Sequence, residues 1–136
     1  MAREIIFFGD NVIDFYKSQD SKVQLKIEYV LDMVRFERQV PIKFFKKLES
    51  TDGIYEVRVI TSQKSIRILC FHDEGTLVIL TNAFVKKTQK TPKNEIKIAE
   101  NLKIEYLKQN NTMCCTLLQM MLVCVCQTWI IKNLHK

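Results

Sequence analysis

Three consecutive strand-like segments between residues 54 and 84 constrain the fold more than any other feature of this sequence. In Ile54–Ile60 apolar and polar side chains alternate, and residues 65–71 alternate in the same way. The turn-forming residues 73–75 lead into the third and most apolar segment, residues 76–84. Because strands joined by such short connections pair antiparallel with their neighbours, we predict an antiparallel meander in which the third strand lies centrally.

A first strand and two helices are predicted before the meander. Residues 5–8 are a short apolar run of the kind that forms a strand. A short helix follows through Tyr16, and Ser21 can cap a longer second helix that Pro41 ends. We expect the apolar face of this second helix to pack on the apolar side of the sheet. That face consists of residues at helical spacing: Val23, Ile27, Val30, Leu31 and Val34.

Two further helical segments complete the predicted fold. Residues 44–48 indicate a short turn of helix before the meander. Thr91 and Pro92 mark the start of a last helix, with Thr91 as the N-cap, and Asn110 and Asn111 mark its end. We therefore predict an α+β fold. It has an antiparallel or mixed sheet of about four strands, two N-terminal helices on one face and a C-terminal helix.

The positive charge of the chain is concentrated in its second part. The 136 residues carry a formal net charge of +6. Residues 1–82 hold 12 basic and 12 acidic residues, whereas residues 83–136 hold 9 lysines and 3 glutamates. Such an asymmetry points to a polyanionic partner, either nucleic acid or an anionic surface. The scarcity of glycine (3) and proline (2) excludes a linker-rich or low-complexity chain.

Two groups of cations could together form one binding groove. The alternation places Arg58 and Arg67 on the sheet face that is turned away from the N-terminal helices. Residues 84–93 supply four lysines beside the positive end of the last helix, which would favour phosphate. Two alternatives stay open, because the lysines can be a solvated loop and the arginines can belong to salt bridges. The four lysines are Lys86, Lys87, Lys90 and Lys93.

Other signs of chemistry are weak. His72, beside Asp73 and Glu74 in the predicted turn, is a candidate acid or base, although histidines in turns are usually just solvated. The sequence contains no glycine-rich nucleotide-binding motif, no HExxH and no GxSxG. We accordingly expect neither a metal ion nor a cofactor in the site.

The C-terminal segment differs from the rest, because Gln109 to Ile131 are 23 residues without a charge. We predict one domain over residues 1–111 and a helical, apolar, Cys- and Met-rich extension over residues 112–136. This extension can pack on the domain or on a partner, which we favour. Alternatively it enters or lies on a membrane, or it is an aggregation-prone appendage.

Cysteine usage points to a reducing compartment. The chain has five cysteines, an odd number, and the apolar run near its start is too short for a secretory signal. We therefore expect reduced thiols and a cytoplasmic protein. A zinc site is conceivable in the extension, but the usual CxxC spacing is missing, and we favour small apolar packing residues. The four cysteines concerned are Cys114, Cys115, Cys124 and Cys126.

Three blocks of the sequence resemble the phage-derived HigB-like branch of the RelE/ParE toxin superfamily. They are GIYEVRV at 53–59, IRIL at 66–69 with Phe71 and DEG at 73–75, and FVKKTQKTPKNEI at 84–96. The last block is the most specific, and the resemblance covers residues 3 to about 110. The chain departs from the family pattern at Ala83, where relatives commonly have glycine, and at His72, where an aromatic residue is common.

The resemblance implies a RelE-like fold and the toxin of a type II toxin–antitoxin pair, with a helix-turn-helix antitoxin as partner. It also implies an endoribonuclease that cuts mRNA on the ribosome by attack of a ribose 2′-OH, without a metal ion or other cofactor. Carried onto this chain, the catalytic residues would be Arg58, Arg67 and Lys87. RNA-binding residues would be Lys86, Lys90 and Lys93.

Two other functions remain open at the level of sequence. The ParE branch of the same superfamily inhibits DNA gyrase without cutting RNA, so a shared fold does not choose between the two. The chain could also be an inactive module that only binds an antitoxin. The arginine pair and the lysine block favour RNA.

Overall fold

A five-stranded mixed sheet forms the centre of the structure, a computed structural model that describes residues 2–112. Its strands are β1 (Glu4–Phe7), β2 (Phe45–Lys47), β3 (Ile54–Ile60), β4 (Ser65–His72) and β5 (Leu77–Val85). The helices are α1 (Asn11–Lys17), α2 (Ser21–Phe36) and α3 (Lys93–Thr112). In space the strands follow the order β1-β5-β4-β3-β2, with β1 parallel to β5 and all other neighbours antiparallel.

The predicted α+β architecture, consistent with a RelE-like fold, and the antiparallel meander β3-β4-β5 are confirmed. β5 is an interior strand, because it pairs with β1 and β4, but the middle strand of the sheet is β4. The sheet has five strands rather than about four. The additional strand is β2, which pairs with β3 from Phe45↔Val57 to Lys47↔Tyr55. The prediction of a helical turn at residues 44–48 is wrong. β2 has only three residues, which is too few for the alternation of a strand to be recognised in the sequence.

The two N-terminal helices cover one face of the sheet, as predicted. Val30 and Val34 of α2 are completely buried against Val57 and Val59 of β3. Burying one side chain of this size contributes roughly 1.5–3 kcal/mol, so this cluster is a main source of stability. The apolar residues of α2, which recur at helical spacing, therefore supply much of the contact with this face of the sheet.

The cap of α2 is one residue earlier than predicted. Asp20 is the N-cap, and its side chain accepts a hydrogen bond of 2.9 Å from the backbone N–H of Val23. Ser21 is the first helical residue, and α2 ends at Phe36, before Pro41. An aspartate and a serine in adjacent positions are both good caps, so local sequence alone does not decide between them.

α3 covers the opposite face. Ala99 is completely buried, and the Tyr106 ring makes edge-on contacts with Phe8 and Phe71, each with centroids 5.4 Å apart. The Tyr106 hydroxyl donates a 2.7 Å hydrogen bond to Asp73 in the β4–β5 turn. Burial, and after it this hydrogen bond, raise the pKa of Tyr106 to about 12. The helix is thus attached to the sheet by residues that precede position 107.

The ends of α3 differ from the prediction. The helix begins at Lys93, and the Thr91 side chain donates to a carboxylate on β3 instead of capping the helix. Asn110 and Asn111 are inside α3, so they do not end it. Both errors arise because the tertiary partner of Thr91, and the continuation of the helix, are not visible in local sequence.

A bulge in β5 decides which side chains face α3. The register shifts between Leu69 and Cys70, which leaves Thr81 as the extra residue of β5. The Thr81 hydroxyl donates to the carbonyl of Leu69 at 2.9 Å. After the bulge, Asn82 and Phe84 lie on the α3 side, where Asn82 donates to Glu95. The bulge therefore also determines which face of the sheet the residues that follow β5 lie on.

Residues 113–136 lie outside the part of the chain that the structure describes. The boundary predicted between domain and extension, the placements of that extension and its four cysteines therefore stay predictions. Within residues 2–112, none of the helices combines the length and the apolar character needed to cross a membrane.

Candidate functional site

Arg58 and Arg67 occupy directly opposite positions on β3 and β4. They form a cross-strand pair in the register of the sheet, on the face covered in part by α3. The prediction that alternation brings both to one face is confirmed. Like charges at opposite positions repel each other, so this arrangement needs a compensating group.

The compensating group is Glu56. Its carboxylate is buried, with 1% of the side chain exposed. Arg58 Nε donates to Glu56 Oε1 at 2.8 Å, and Arg67 Nε lies 3.8 Å from Oε2. Thr91, just before α3, donates its hydroxyl to Oε2 at 2.9 Å. One carboxylate therefore connects two strands with the segment that enters α3.

Arg67 is a buried cation with an unused donor. Its side chain is 8% exposed, and one terminal nitrogen donates to Ser65 Oγ at 3.0 Å and to the Ile66 carbonyl at 3.1 Å. Nε is buried and has no hydrogen-bond partner, because Glu56 is too far away for one. Burial lowers the pKa of Arg67, Glu56 opposes this effect, and Arg58 adds to it. This guanidinium therefore keeps a donor that no group of the described protein satisfies.

Lys86 adds a third cation to the pair. Its backbone N–H donates to the Ser65 carbonyl at 2.7 Å, which extends the β4–β5 ladder by one residue. Burial lowers the pKa of Lys86 and so does the charge of Arg67, while Glu56 raises it; Arg58 and Lys46 lower it further. We call Lys46, Glu56, Arg58, Arg67 and Lys86 the arginine site. It holds four cations and one carboxylate, so it carries an excess of positive charge.

In residues 84–93, which we call the lysine segment, the other three lysines are more exposed than Lys86. Lys87, Lys90 and Lys93 are exposed, in the connection after β5 and at the first position of α3. Their positions suit contacts with an extended polyanion rather than with a single buried phosphate. The predicted catalytic role of Lys87 stays a prediction. Lys86 is the lysine whose pKa is lowered by the charges of both arginines.

His72 is not brought together with the arginine site. It ends β4 five residues after Arg67, so the alternation places it on the opposite face of the sheet. Its ring contacts Tyr55 and Phe45 edge-on, with centroids at 4.6 and 5.8 Å. Burial lowers the pKa of His72, and the nearby charge of Arg3 lowers it further. Its predicted role as an acid or base gains no support from this geometry.

Sequence reasoning missed three members of this arrangement: Lys46, Glu56 and Thr91. For Glu56 a signal was available, since the alternation of β3 places it on the same face as Arg58. The salt bridge that we kept as an alternative reading of the arginines therefore exists, but it is buried and leaves one arginine nitrogen unused. Thr91 lies 35 residues from its partner, and no local pattern reveals that contact.

The chemistry of this cluster is that of an anion site. Preorganised guanidinium groups stabilise a phosphate, and still more the additional charge that develops when it is attacked. Within residues 2–112 there is no group of three or more His, Cys, Asp or Glu residues that could hold a metal ion.

The family model described as phage derived protein Gp49-like (DUF891) matches residues 14–103. This match includes both arginines and the whole lysine segment. A comparison with curated proteins finds none that matches the chain.

Proposed function

The chain belongs to the family of phage-derived Gp49-like proteins, a toxin-like family of toxin–antitoxin systems, and from this premise we propose that it cuts mRNA on the ribosome. We further propose that it acts in the cytoplasm as the toxin of a type II pair, within the HigB-like branch. A helix-turn-helix antitoxin would then be its protein partner. The observation that carries the proposal is the arginine site, in which buried Arg67 keeps an unpartnered Nε donor beside Arg58.

The proposed reaction is transfer of a phosphoryl group within the RNA. The ribose 2′-OH releases its proton to solvent water, and its oxygen attacks the adjacent 3′-phosphate. The bond from phosphorus to the 5′-oxygen breaks, and that oxygen takes up a proton. The products are a 2′,3′-cyclic phosphate and a 5′-OH end. The transition state carries more negative charge on the phosphate oxygens than the ground state does.

Each cation has a role in this reaction. Arg58 and Arg67 would hold the phosphate oxygens and stabilise the developing charge. Lys86 is suited to protonate the leaving oxygen, because its lowered pKa makes it a stronger acid than an ordinary lysine. Lys87, which follows Lys86 in the chain, is the second candidate for this proton donor. The exposed Lys90 and Lys93 would bind the backbone of mRNA or ribosomal RNA, which requires only charge and reach.

The test is a cleavage assay with the full chain and ribosomes carrying a defined mRNA. We expect cut mRNA whose 5′ fragment ends in a 2′,3′-cyclic phosphate and whose 3′ fragment begins with a 5′-OH. A parallel assay measures the supercoiling activity of DNA gyrase. Intact mRNA together with inhibited gyrase would replace this proposal with the ParE-like alternative. If mRNA and gyrase are both unaffected, the chain has neither activity.

A further inference from the structure

Glu56 is the most completely buried charged side chain in residues 2–112 and the point at which three elements meet. It lies on β3 and carries the contacts of Arg58 from its own strand, Arg67 from β4 and Thr91 from the segment before α3. Its exposed fraction is 1%, against 8% for the Arg67 side chain and 23% for that of Arg58. The carboxylate is therefore the innermost part of the arginine site.

Burial makes these contacts obligatory. An ionised carboxylate removed from water is stable only when it is paired and hydrogen-bonded, so Glu56 constrains the groups that compensate it. Arg58 is aligned by a short contact between its Nε and Oε1. Thr91 occupies Oε2 and thereby fixes where the lysine segment joins α3. Without the carboxylate, two guanidinium groups at opposite positions would repel each other.

We propose that Glu56 is a positioning residue, which holds Arg58, Arg67 and the Thr91 end of the lysine segment in the arrangement that receives a phosphate. The effect of Glu56 on cleavage rests on the proposed function, whereas its effect on the positions of the arginines does not. Both carboxylate oxygens already accept hydrogen bonds from the protein. Glu56 therefore acts through the arginines and does not itself take the proton of the attacking hydroxyl.

The first experiment needs no RNA. Nuclear magnetic resonance of the arginine Nε–Hε groups is compared between the full-length wild type and Glu56→Gln, which keeps the shape and removes the charge. In the wild type the Arg58 signal should be shifted and slow to exchange with water, because Nε donates to the carboxylate. In Glu56→Gln it should move to the position of an exposed arginine. If the Arg58 and Arg67 signals are unchanged by the substitution, Glu56 does not position them.

The second experiment separates binding from cleavage. Single-turnover cleavage of ribosome-bound mRNA and affinity for ribosomes are measured for Glu56→Gln. Glu105→Gln serves as the control, because it makes the same change of charge at an exposed site. Glu56→Gln should cut about 10- to 100-fold more slowly. Its affinity should stay equal or rise, since the protein has become more positive. The control should cut at the wild-type rate.

The outcomes distinguish the hypotheses. Unchanged or faster cleavage by Glu56→Gln shows that the carboxylate only neutralises charge, and overturns the proposal. If wild-type protein cuts no RNA, the proposed function fails, while the resonance experiment still decides whether Glu56 positions the arginines.

A second pair of variants covers the case in which Glu56→Gln does not fold. Thr91→Val removes the hydroxyl that binds Oε2 at nearly constant volume, whereas Thr91→Ser retains it. We expect slower cleavage from Thr91→Val and wild-type cleavage from Thr91→Ser, and thermal unfolding verifies that both variants are folded at the assay temperature. Equal cleavage by the two variants means that the link through Thr91 has no part in positioning, and removes that link from the proposal.

Discussion

At the scale of single residues, the cost of buried charge governs the site. Arg67 is nearly as buried as the apolar residues beside it, yet its Nε has no hydrogen-bond partner. A buried donor without a hydrogen bond costs about 1–3 kcal/mol, which folding has to offset elsewhere. Arg67 also compensates Glu56. Replacing it with alanine would therefore lower the free energy of unfolding, contrary to what its place on the polar side of a strand suggests.

His72 provides a prediction about pH at the same scale. Its pKa is lowered in the folded protein, so below about pH 6.5 the unfolded chain binds protons more readily than the folded one does. Stability should therefore fall as the pH drops from about 6.5 towards the folded pKa. His72→Phe keeps the ring contacts with Tyr55 and Phe45 but cannot be protonated.

The measurement is urea unfolding of wild type and His72→Phe at about pH 7.5 and about pH 5.5. We expect the wild type to lose more stability between the two values than the variant loses. An equal loss would show that other groups cause the pH dependence. The interval above about pH 7.5 serves as the control, because His72 is neutral there in both states.

At the scale of elements, periodicity explains what the sequence could predict. The middle of β3 and the first half of β4 carry apolar residues on one face and polar or charged residues on the other. A slip by one residue would exchange every side chain, so the alternation is a strong signal. This signal placed Arg58 and Arg67 correctly. Three-residue β2 has no period to detect. The bulge at Thr81 exchanges the faces on which the later side chains of β5 lie, and no local sequence pattern predicts it.

The lysine segment contains Lys86, which belongs to the arginine site, and three exposed lysines. The contribution of these three lysines to ribosome binding can be tested separately. Because Lys87, Lys90 and Lys93 are exposed, we expect their joint replacement by glutamine to weaken ribosome binding without changing the fold. For each phosphate that the variant no longer neutralises, the slope of log affinity against log salt should become shallower by roughly 0.7–0.9. The measurement is ribosome binding over a series of salt concentrations.

A matched control replaces three lysines on the helices that pack on the opposite face of the sheet: Lys17, Lys22 and Lys26. The first is on α1 and the other two are on α2. This triple variant has the same net charge as the other. If both variants reduce the slope equally, binding depends on total charge, and the lysine segment is not a defined contact surface.

At the scale of the whole molecule, the apolar clusters of the described residues end before residue 107. The cluster under α1 and α2 extends along the chain to Val85, and the cluster under α3 extends to Tyr106. We therefore expect a chain that ends at Asn111 to fold, with a thermal midpoint close to that of the full chain. It should also remain in solution at higher concentration, because it lacks the 23-residue uncharged segment except for its first three residues.

The comparison of the two chains uses thermal unfolding and sedimentation with lipid vesicles. An unfolded short chain would show that residues 112–136 are part of the core. Vesicle binding by the full chain alone would favour the membrane alternative for the extension. Sequence could not decide between these possibilities, since an apolar helix looks the same whether protein or lipid covers it.

The most direct test of the account is the rate at which Arg67→Lys cuts ribosome-bound mRNA in a single turnover. Lysine keeps the positive charge but lacks the planar fork and the Nε donor that Arg67 leaves unpartnered. Arg38→Lys, at an exposed position, is the control, and thermal unfolding verifies that both variants fold. We predict that Arg67→Lys cuts about 100-fold more slowly while Arg38→Lys equals the wild type. A folded Arg67→Lys protein that cuts mRNA at the wild-type rate would contradict the claim that the arginine site acts on the phosphate.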